Sequence, residues 1–316
     1  MDPQLKQIRP RSVFNTLSRE GYALLDLRPI EAYNQHFIRQ AYHLPPAPSS
    51  SELAEFFLFV EKVKANIALP AQQLADLRTR LIVVVKEGDE KVAAEFVAKF
   101  QIEKLFNEVF LYVDSEDLTN FRAKYPFLVL GLESKFADLT PAERTRKLFE
   151  LDPEAVMFAN ASFPFEVIED LLFLGTNIHK NSQKILQELK IDTVLEIVLS
   201  QDATNLIEET PTGLTFTVDP SKLVDFDGLF ERMAWNGTKR VLFTAFSSDV
   251  SKIFLLGFLM FYRKKSLNEA SLTVFVNSNG TSVNKTLYNQ LMNFTPGKIK
   301  IRMINSSNVD ANREQS

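Results

Sequence analysis

The sequence predicts an α/β protein of two domains, each built on a mainly parallel β-sheet with flanking helices. Three observations support this. The chain has 316 residues, which exceeds the usual size of a single domain. Short strands rich in β-branched residues alternate with helical segments in both halves, as in parallel sheets. Hydrophobic residues make up 45% of the chain, which is enough for two cores.

The composition excludes several kinds of site. The formal net charge is −4 and there is no long basic block, so nucleic acid is not expected as the main ligand. The chain has no cysteine, which excludes disulfides, thiolate nucleophiles and cysteine-ligated metals. The three histidines, His36, His43 and His179, lack the spacing of a zinc motif. We therefore predict neither a cofactor nor a metal ion.

Nothing in the sequence indicates a membrane or a secretory route. The first residues lack an apolar signal region. The longest apolar run, residues 253–262, is too short to cross a bilayer. These features predict a cytoplasmic protein without a membrane span.

The first domain is predicted over residues 1–126. Strands are expected over 22–28, at the start of 80–100 and over 105–113, and the middle one leads through a loop at Gly88 into an amphipathic helix. Residues 47–51, "APSSS", are interpreted as a polar loop. A connector follows over 127–161, with a helix predicted from a capping box at Thr140 and Glu143 and a proline at the first helical position.

The second domain is predicted over residues 162–298, followed by a C-terminal segment with a polar tail over 299–316. Its expected order is a strand over 168–175 that ends at a glycine turn, a helix and a buried strand over 181–198, and a strand over 214–219. An apolar helix over 253–262 and a last helix over 284–294 complete it.

The stretch 241–252, "VLFTAFSSDVSK", is the main candidate site. An apolar strand breaks into a small polar loop, and an apolar helix follows at once. A strand, a tight loop and a helix N-terminus form the geometry that binds phosphate. We therefore predict a binding site at this loop. Its candidate residues are Thr244, Phe246, Ser247, Ser248 and Lys252, and Asp219 is a further candidate outside the loop.

The first domain resembles a rhodanese-like domain. The similar segments are "LLDLRPIEAYNQHFIRQAYHLP" over 24–45 and "FLYVDSEDLTNFRAKYP" over 110–126. In active members the loop after the "VVV" strand presents a cysteine that carries a persulfide, and here Val85 takes that position. Glu90 stands where arginine is usual. The resemblance thus implies a non-catalytic domain whose loop is apolar and acidic.

The second domain resembles a dual-specificity phosphatase domain. The similar segments lie over 163–198, at "SLNEA" (266–270) and at "VNKTLYNQL" (283–291). The two domains in this order resemble the MAP kinase phosphatases and, among their relatives, a pseudo-enzyme. Active members of this family carry a signature motif in which a His-Cys pair is followed, after five residues, by an arginine. Aligned on the strand, Ala245 and Ser251 take the cysteine and arginine positions; aligned on the helix, Thr244 and Val250 do.

Two cationic features are further candidates for binding, and each has an alternative interpretation. Lys252 could replace the missing arginine as a point charge, although a lysine at a helix start is usually solvated. The segment "RTRKLFEL" resembles kinase-docking peptides, with basic residues followed by an apolar pair; alternatively, it is an amphipathic linker helix. The docking candidates are Arg144, Arg146, Lys147, Leu148 and Leu151.

The resemblance implies a catalytically inactive pseudophosphatase that binds or scaffolds proteins of phosphatase or kinase signalling. Asp219 lies where the family has its general acid, but an acid without a nucleophile does not catalyse phosphate transfer. Its partners would be phosphatases, kinases or phosphoproteins. Two alternatives stay open: a residual hydrolase that uses a loop serine or threonine, and a structural adaptor unrelated to phosphate.

Overall fold

The computed structural model describes residues 5–17, 22–65, 80–131, 163–201, 206–277 and 283–296, without the side chains of 62–65 and 276–277. Its contacts divide the chain into two compact units, Met1–Ser162 and Phe163–Ser316. Each unit has its own sheet and helices, so the predicted α/β fold of two domains is confirmed. None of the described helices combines the length and apolarity needed to cross a membrane.

The described part of the first unit contains short strands and helices in alternation. The strands are β1 (Lys6–Gln7), β2 (Tyr22–Asp26), β3 (Phe37–Ile38), β4 (Ala41–His43), β5 (Arg80–Lys86), β6 (Glu108–Asp114) and β7 (Val129–Leu130). The α-helices are α1 (Pro10–Leu17), α2 (Ile30–Gln35), α3 (Ser50–Ala65), α4 (Glu90–Lys99) and α5 (Thr119–Lys124).

Five of these strands form a parallel sheet in the order β1-β6-β5-β2-β4. Strand β5 lies at its centre, and Leu81, Val83 and Val85 pack with α3 and α4 in one core. Strand β7 pairs with β3 in a separate antiparallel ribbon, so the fold of this unit continues past the predicted boundary at 126. A buried central strand with β-branched residues is what a parallel sheet requires.

The expectation of a loop over 47–51 is wrong for its last residues, because α3 begins at Ser50. Ser49 and Glu52 form a reciprocal cap. The Ser49 amide donates to the Glu52 carboxylate (2.7 Å), and the Glu52 amide donates to the Ser49 hydroxyl (3.3 Å). This pattern is a capping box, so the serine run that reads as a polar loop starts a helix.

A buried ion pair holds the carboxyl end of β2. Asp26 and Arg28 are both fully buried, and the guanidinium donates to both carboxylate oxygens of Asp26, at 2.6 Å to the nearer. Arg28 also donates to the backbone oxygens of His36 (2.7 Å) and Glu116 (2.6 Å). One side chain thus ties together the ends of β2, α2 and the loop after β6.

The described part of the second unit contains six strands and six α-helices. The strands are β8 (Phe165–Ile168), β9 (Leu172–Thr176), β10 (Thr193–Leu199), β11 (Leu206–Thr210), β12 (Gly213–Val218) and β13 (Val241–Ala245). The helices are α6 (Asn177–Asn181), α7 (Gln183–Glu188), α8 (Phe226–Met233), α9 (Ser248–Arg263), α10 (Leu267–Asn277) and α11 (Lys285–Met292).

The strands form one sheet in the order β11-β12-β10-β13-β9-β8. The four inner strands are parallel, and the two edge strands are antiparallel to their neighbours. Helix α9 packs on this sheet, and its residues Val250–Met260 are buried without interruption. The carboxyl ends of β9, β10, β12 and β13 consequently meet at one edge, where such folds bind ligands.

Two element boundaries of the second unit differ from the prediction. The single strand expected over 168–175 is a hairpin, since β8 ends at Ile168 and β9 runs to Thr176 with Gly175 inside the strand. The apolar helix expected over 253–262 begins five residues earlier, at Ser248. The helix predicted from Thr140 and the polar tail lie outside the described residues.

We predict that Arg28→Met destabilises the first unit by about 3–5 kcal/mol, because it leaves the Asp26 carboxylate buried without its cation. The double variant Arg28→Met, Asp26→Leu should recover most of the loss. Urea unfolding followed by far-UV circular dichroism measures the change, with Trp235 fluorescence as the internal control for the second unit.

The matched control is Lys91→Ala, which removes the exposed Lys91–Glu95 pair (3.7 Å) and should change stability by less than about 0.5 kcal/mol. If Arg28→Met costs no more than Lys91→Ala, the buried pair does not hold this edge together.

Candidate functional site

The predicted rhodanese position is part of the core of the first unit. Val85 is the sixth residue of β5 and is buried at 1% exposure. The interpretation that it sits in an exposed loop is therefore wrong. The loop consists of Glu87, Gly88 and Asp89, between the end of β5 and the start of α4. Gly88 takes the left-handed conformation that this turn needs, with φ +94°.

The stretch 241–252 contains a much shorter loop than predicted. Strand β13 ends at Ala245 and α9 begins at Ser248, so Phe246 and Ser247 alone connect them. Ser248, Asp249 and Val250, which the sequence places in the loop, form the first turn of the helix. The chain therefore turns directly from the central strand into the helix.

Ser247 caps the helix and engages its first amides. Its hydroxyl accepts from the Asp249 amide (3.2 Å), and its carbonyl accepts from the amides of Val250 (3.1 Å) and Ser251 (3.4 Å). None of residues 241–263 has a positive φ, so the backbone does not form the concave nest that surrounds an anion. The amides of Asp249, Val250 and Ser251 are thus already satisfied within the turn.

Both possible registers of the phosphatase signature fall on buried residues. Thr244 and Ala245 lie in β13, and Val250 and Ser251 lie in α9; all four are buried. Ser251 donates to the Ser248 carbonyl (3.2 Å). The Thr244 hydroxyl is enclosed and makes no hydrogen bond in the described part of the chain. Neither register thus exposes a side chain where a reacting phosphate would sit.

Lys252 is not the solvated lysine expected at a helix start. It is 1% exposed, and its Nζ lies 3.8 Å from Oδ1 of Asp249 one turn earlier. Burial lowers the pKa of Lys252, and the Asp249 carboxylate partly offsets this. The ammonium group is therefore part of the interior and does not reach into solvent as an arginine clamp would.

Asp219 follows β12 at the same edge of the sheet. Its Oδ1 accepts from the Ser221 hydroxyl (2.6 Å) and amide (2.9 Å), and Lys222 Nζ lies 3.5 Å from Oδ2. The bonds from Ser221, with a smaller contribution from Lys222, lower the pKa of Asp219. A general acid needs the opposite shift, because it must carry a proton near neutral pH.

The surface of the site carries an apolar side chain, Phe246, where the sequence predicted a polar loop. Phe246 is 97% exposed and projects between the buried Ala245 and the capping Ser247. Ser247 and Ser248 are exposed beside it. Phe246, Ser247 and Ser248 thus form the accessible surface, whereas Thr244 and Lys252 lie beneath it. Within the described ranges, no three metal-ligating side chains come together.

The docking candidates Arg144, Arg146, Lys147, Leu148 and Leu151 lie outside the described residues. That prediction therefore stays a prediction.

No protein-family model and no curated protein matches this sequence. Solved structures with similarity include human DUSP28, at 20% identity over 41% of this chain and 90% of that one, with a TM-score of 0.33. A leucine rich repeat and phosphatase domain containing protein from Entamoeba histolytica has 14% identity over 41% of this chain and 88% of that one, with a TM-score of 0.33. Thiosulfate sulfurtransferase from Pseudomonas aeruginosa has 15% identity over 76% of this chain and 36% of that one, with a TM-score of 0.27.

We predict that Ser247→Ala destabilises the second unit by about 1 kcal/mol, because the Asp249 amide loses its acceptor at the helix start. Ser248→Ala is the matched control, because the Ser248 hydroxyl makes no capping bond in the described part of the chain. The substitution also leaves the Ser248 backbone carbonyl, which accepts from Ser251, in place. Trp235 fluorescence reports the unfolding, as its ring packs 4.9 Å from that of Phe258 on α9. Equal effects of the two variants would contradict the capping role.

Proposed function

We propose that this protein is a phosphatase-like binding protein that does not catalyse phosphate transfer, and that it regulates phosphatase or kinase signalling by holding other proteins. The observation that carries the proposal is the start of α9. Only Phe246 and Ser247 separate β13 from the helix, so most of the segment that would surround a phosphate is helical, and its signature positions are buried.

The nucleophile is the first requirement that the site does not meet. Dual-specificity phosphatases attack phosphorus with a cysteine thiolate, and this chain has no cysteine. A threonine could act only with an adjacent base and with access to the phosphate. Thr244 has no access, because it is completely buried in the central strand.

The charges at the site also disfavour a phosphate dianion. The ammonium group of Lys252 is buried, whereas the Asp249 side chain, whose Oδ1 lies 3.8 Å from it, is 35% exposed. Charge-assisted contacts contribute about 1.5–3 kcal/mol each to anion recognition, and a carboxylate at the same place opposes them. The lowered pKa of Asp219 keeps a second carboxylate ionised at this edge.

The first unit supports the same interpretation. Val85 packs in the core, and the loop that follows carries Glu87 and Asp89, so this edge neither presents a sulfur atom nor favours an anion. Two domains that resemble enzymes but lack reactive groups are consistent with a binding role. The partners we propose are proteins of a signalling pathway, and the cytoplasmic location stays a prediction.

A residual hydrolase is the less supported alternative. Ser247 and Ser248 are exposed, but neither hydroxyl is hydrogen-bonded to a histidine in the described part of the chain. Without a base to accept its proton, a serine hydroxyl is a weak nucleophile at neutral pH.

We expect the purified full-length chain to hydrolyse neither aryl phosphates nor phosphotyrosine peptides above the rate of a buffer blank. A matched active phosphatase serves as the positive control. Steady-state turnover that is lost in Ser247→Ala or Ser248→Ala, but kept in an exposed variant elsewhere such as Leu272→Ser, would contradict the proposal.

A further inference from the structure

Exposed apolar side chains of the second unit concentrate at the carboxyl edge of its sheet. Among the described residues of this unit, eight large apolar side chains are exposed, and six of them lie at this edge: five follow or end strands, and Leu206 begins the antiparallel strand β11. Their exposure ranges from 37 to 97%, and they are Ile178, Val198, Leu199, Leu206, Leu223 and Phe246. The other two, Leu272 and Met292, lie on helices α10 and α11.

Strand register aligns three of these residues in a row, and a fourth lies beyond the end of the next strand. Leu206 of β11 and Val198 of β10 both pair with Thr217 of the strand between them. Ala245 pairs with Ile197, so Phe246 follows at the level of Val198. Ile178 lies just beyond the end of β9, which pairs with β13. We call Ile178, Val198, Leu206 and Phe246 the apolar strip.

The dimensions of the apolar strip suit a short helix or an extended peptide. Neighbouring strands lie about 4.8 Å apart, so the three steps from β11 to β13 span about 15 Å. That length corresponds to about three turns of an α-helix. Scattered exposed apolar residues are ordinary, but a group aligned along a ligand-binding edge, here with Thr217 between Leu206 and Val198, marks an interaction surface.

Phe246 is presented in a fixed position. Its neighbour Ala245 is the buried end of the central strand, and Ser247 is held by the first amides of α9. An exposed aromatic side chain on a rigid backbone loses little conformational entropy when a partner covers it. Such aromatic anchors dominate the free energy of many protein interfaces.

The charges around the apolar strip favour a cationic partner. Lys180 is bonded to Glu196, Lys222 lies 3.5 Å from Asp219, and the buried Lys252 lies 3.8 Å from Asp249. Each of these cations already faces a carboxylate. Glu208 follows Leu206 by two residues, is exposed, and has no ion pair in the described part of the chain. The unmatched charge beside the strip is thus negative.

These charges distinguish between kinds of partner. An anionic membrane surface attaches to apolar patches surrounded by lysine and arginine, which is the opposite arrangement. In a second copy of this chain, the lysines beside the strip already face carboxylates of their own and so offer Glu208 no unmatched cation. A protein segment with apolar side chains and flanking basic residues satisfies both the apolar strip and Glu208.

We propose that the apolar strip binds an amphipathic segment of a partner protein that carries lysine or arginine beside its apolar side chains. This inference rests on the proposed binding function and specifies the surface and the chemistry of the partner. Recognition requires no phosphate group, since the strip consists of apolar side chains and Ser247 already binds the amides of Asp249, Val250 and Ser251.

The test uses the full-length chain and a defined probe, a fluorescent amphipathic helical peptide of leucine and lysine about 18 residues long. Fluorescence anisotropy measures its affinity. We expect saturable binding that weakens at least about fivefold in Phe246→Ser and in Leu206→Ser, because each removes apolar contact area from the centre or end of the strip. Glu208→Lys should weaken it by a similar factor.

Leu272→Ser is the matched control, because it removes a leucine of α10 that is more exposed than Leu206 (68% against 50%) and does not belong to the apolar strip. It should leave the affinity within about twofold of the unchanged chain. A peptide with glutamate in place of lysine should bind at least about tenfold more weakly. The inference is overturned if Leu272→Ser weakens binding as much as Phe246→Ser, or if the two peptides bind equally.

Two further outcomes would also overturn it by assigning the strip to another occupant. The first is binding of the chain to phosphatidylserine vesicles that is lost in Phe246→Ser. The second is self-association of the chain, measured by sedimentation, that is lost in the same variant. The proposed function fails separately: phosphatase turnover contradicts it whatever the peptide results are. If the chain shows no turnover but binds both peptides equally, only the inference about the apolar strip fails and the proposed function stands.

Discussion

The burial of helix α9 is the constraint on which the candidate site depends. Eleven consecutive residues, Val250–Met260, are buried, whereas a helix on the surface of a domain buries one face. Gly257 allows its neighbours to approach closely, because an added Cβ would lie 3.1 Å from Phe230 and 3.3 Å from Leu291. The helix is surrounded by packed side chains, so it cannot shift along its axis without opening cavities. Its first turn is fixed together with the rest.

This constraint explains the properties of the stretch between β13 and α9. Strand β13 is central and completely buried, and only two residues separate it from α9, so there is no room for a loop that curves around an anion. The polar groups of that stretch are used locally. Ser247 caps the helix, Ser251 bonds to the preceding turn, and Lys252 faces Asp249. Phe246 has no place in the core and is therefore exposed at the edge where a ligand would approach.

Much of this architecture follows from local patterns in the sequence. The apolar runs at 80–86, 193–199 and 241–245 identify central strands, because only a sheet covered on both faces tolerates them. Helix starts are harder to identify. The segment from Ser248 to Lys252 is polar enough to suggest a loop, although Ser247 is a favourable cap and Asp249 suits a first helical turn. Likewise, Ser49 and Glu52 form a capping box within a serine run that resembles a loop.

Other features depend on tertiary contacts that no local pattern encodes. The burial of Lys252 and Thr244 results from packing around α9 and β13, and the same residue types are usually exposed elsewhere. Val85 belongs to a strand because β5 stays paired with β6 as far as Lys86. The apolar strip requires the pairing of Leu206 and Val198 with Thr217, since Leu206 and Phe246 are 40 positions apart in the sequence.

The most direct test of this account is a titration of the full-length, nitrogen-15-labelled chain with inorganic phosphate, followed by the amide resonances of residues 246–252. Because Ser247 already binds the amides of Asp249, Val250 and Ser251 and the backbone here has no positive φ, the account predicts no saturable shift up to about 10 mM phosphate, which corresponds to a binding free energy weaker than about 3 kcal/mol. Saturable shifts confined to these amides, with a dissociation constant below about 1 mM, would show that the stretch still binds phosphate and would contradict the central claim.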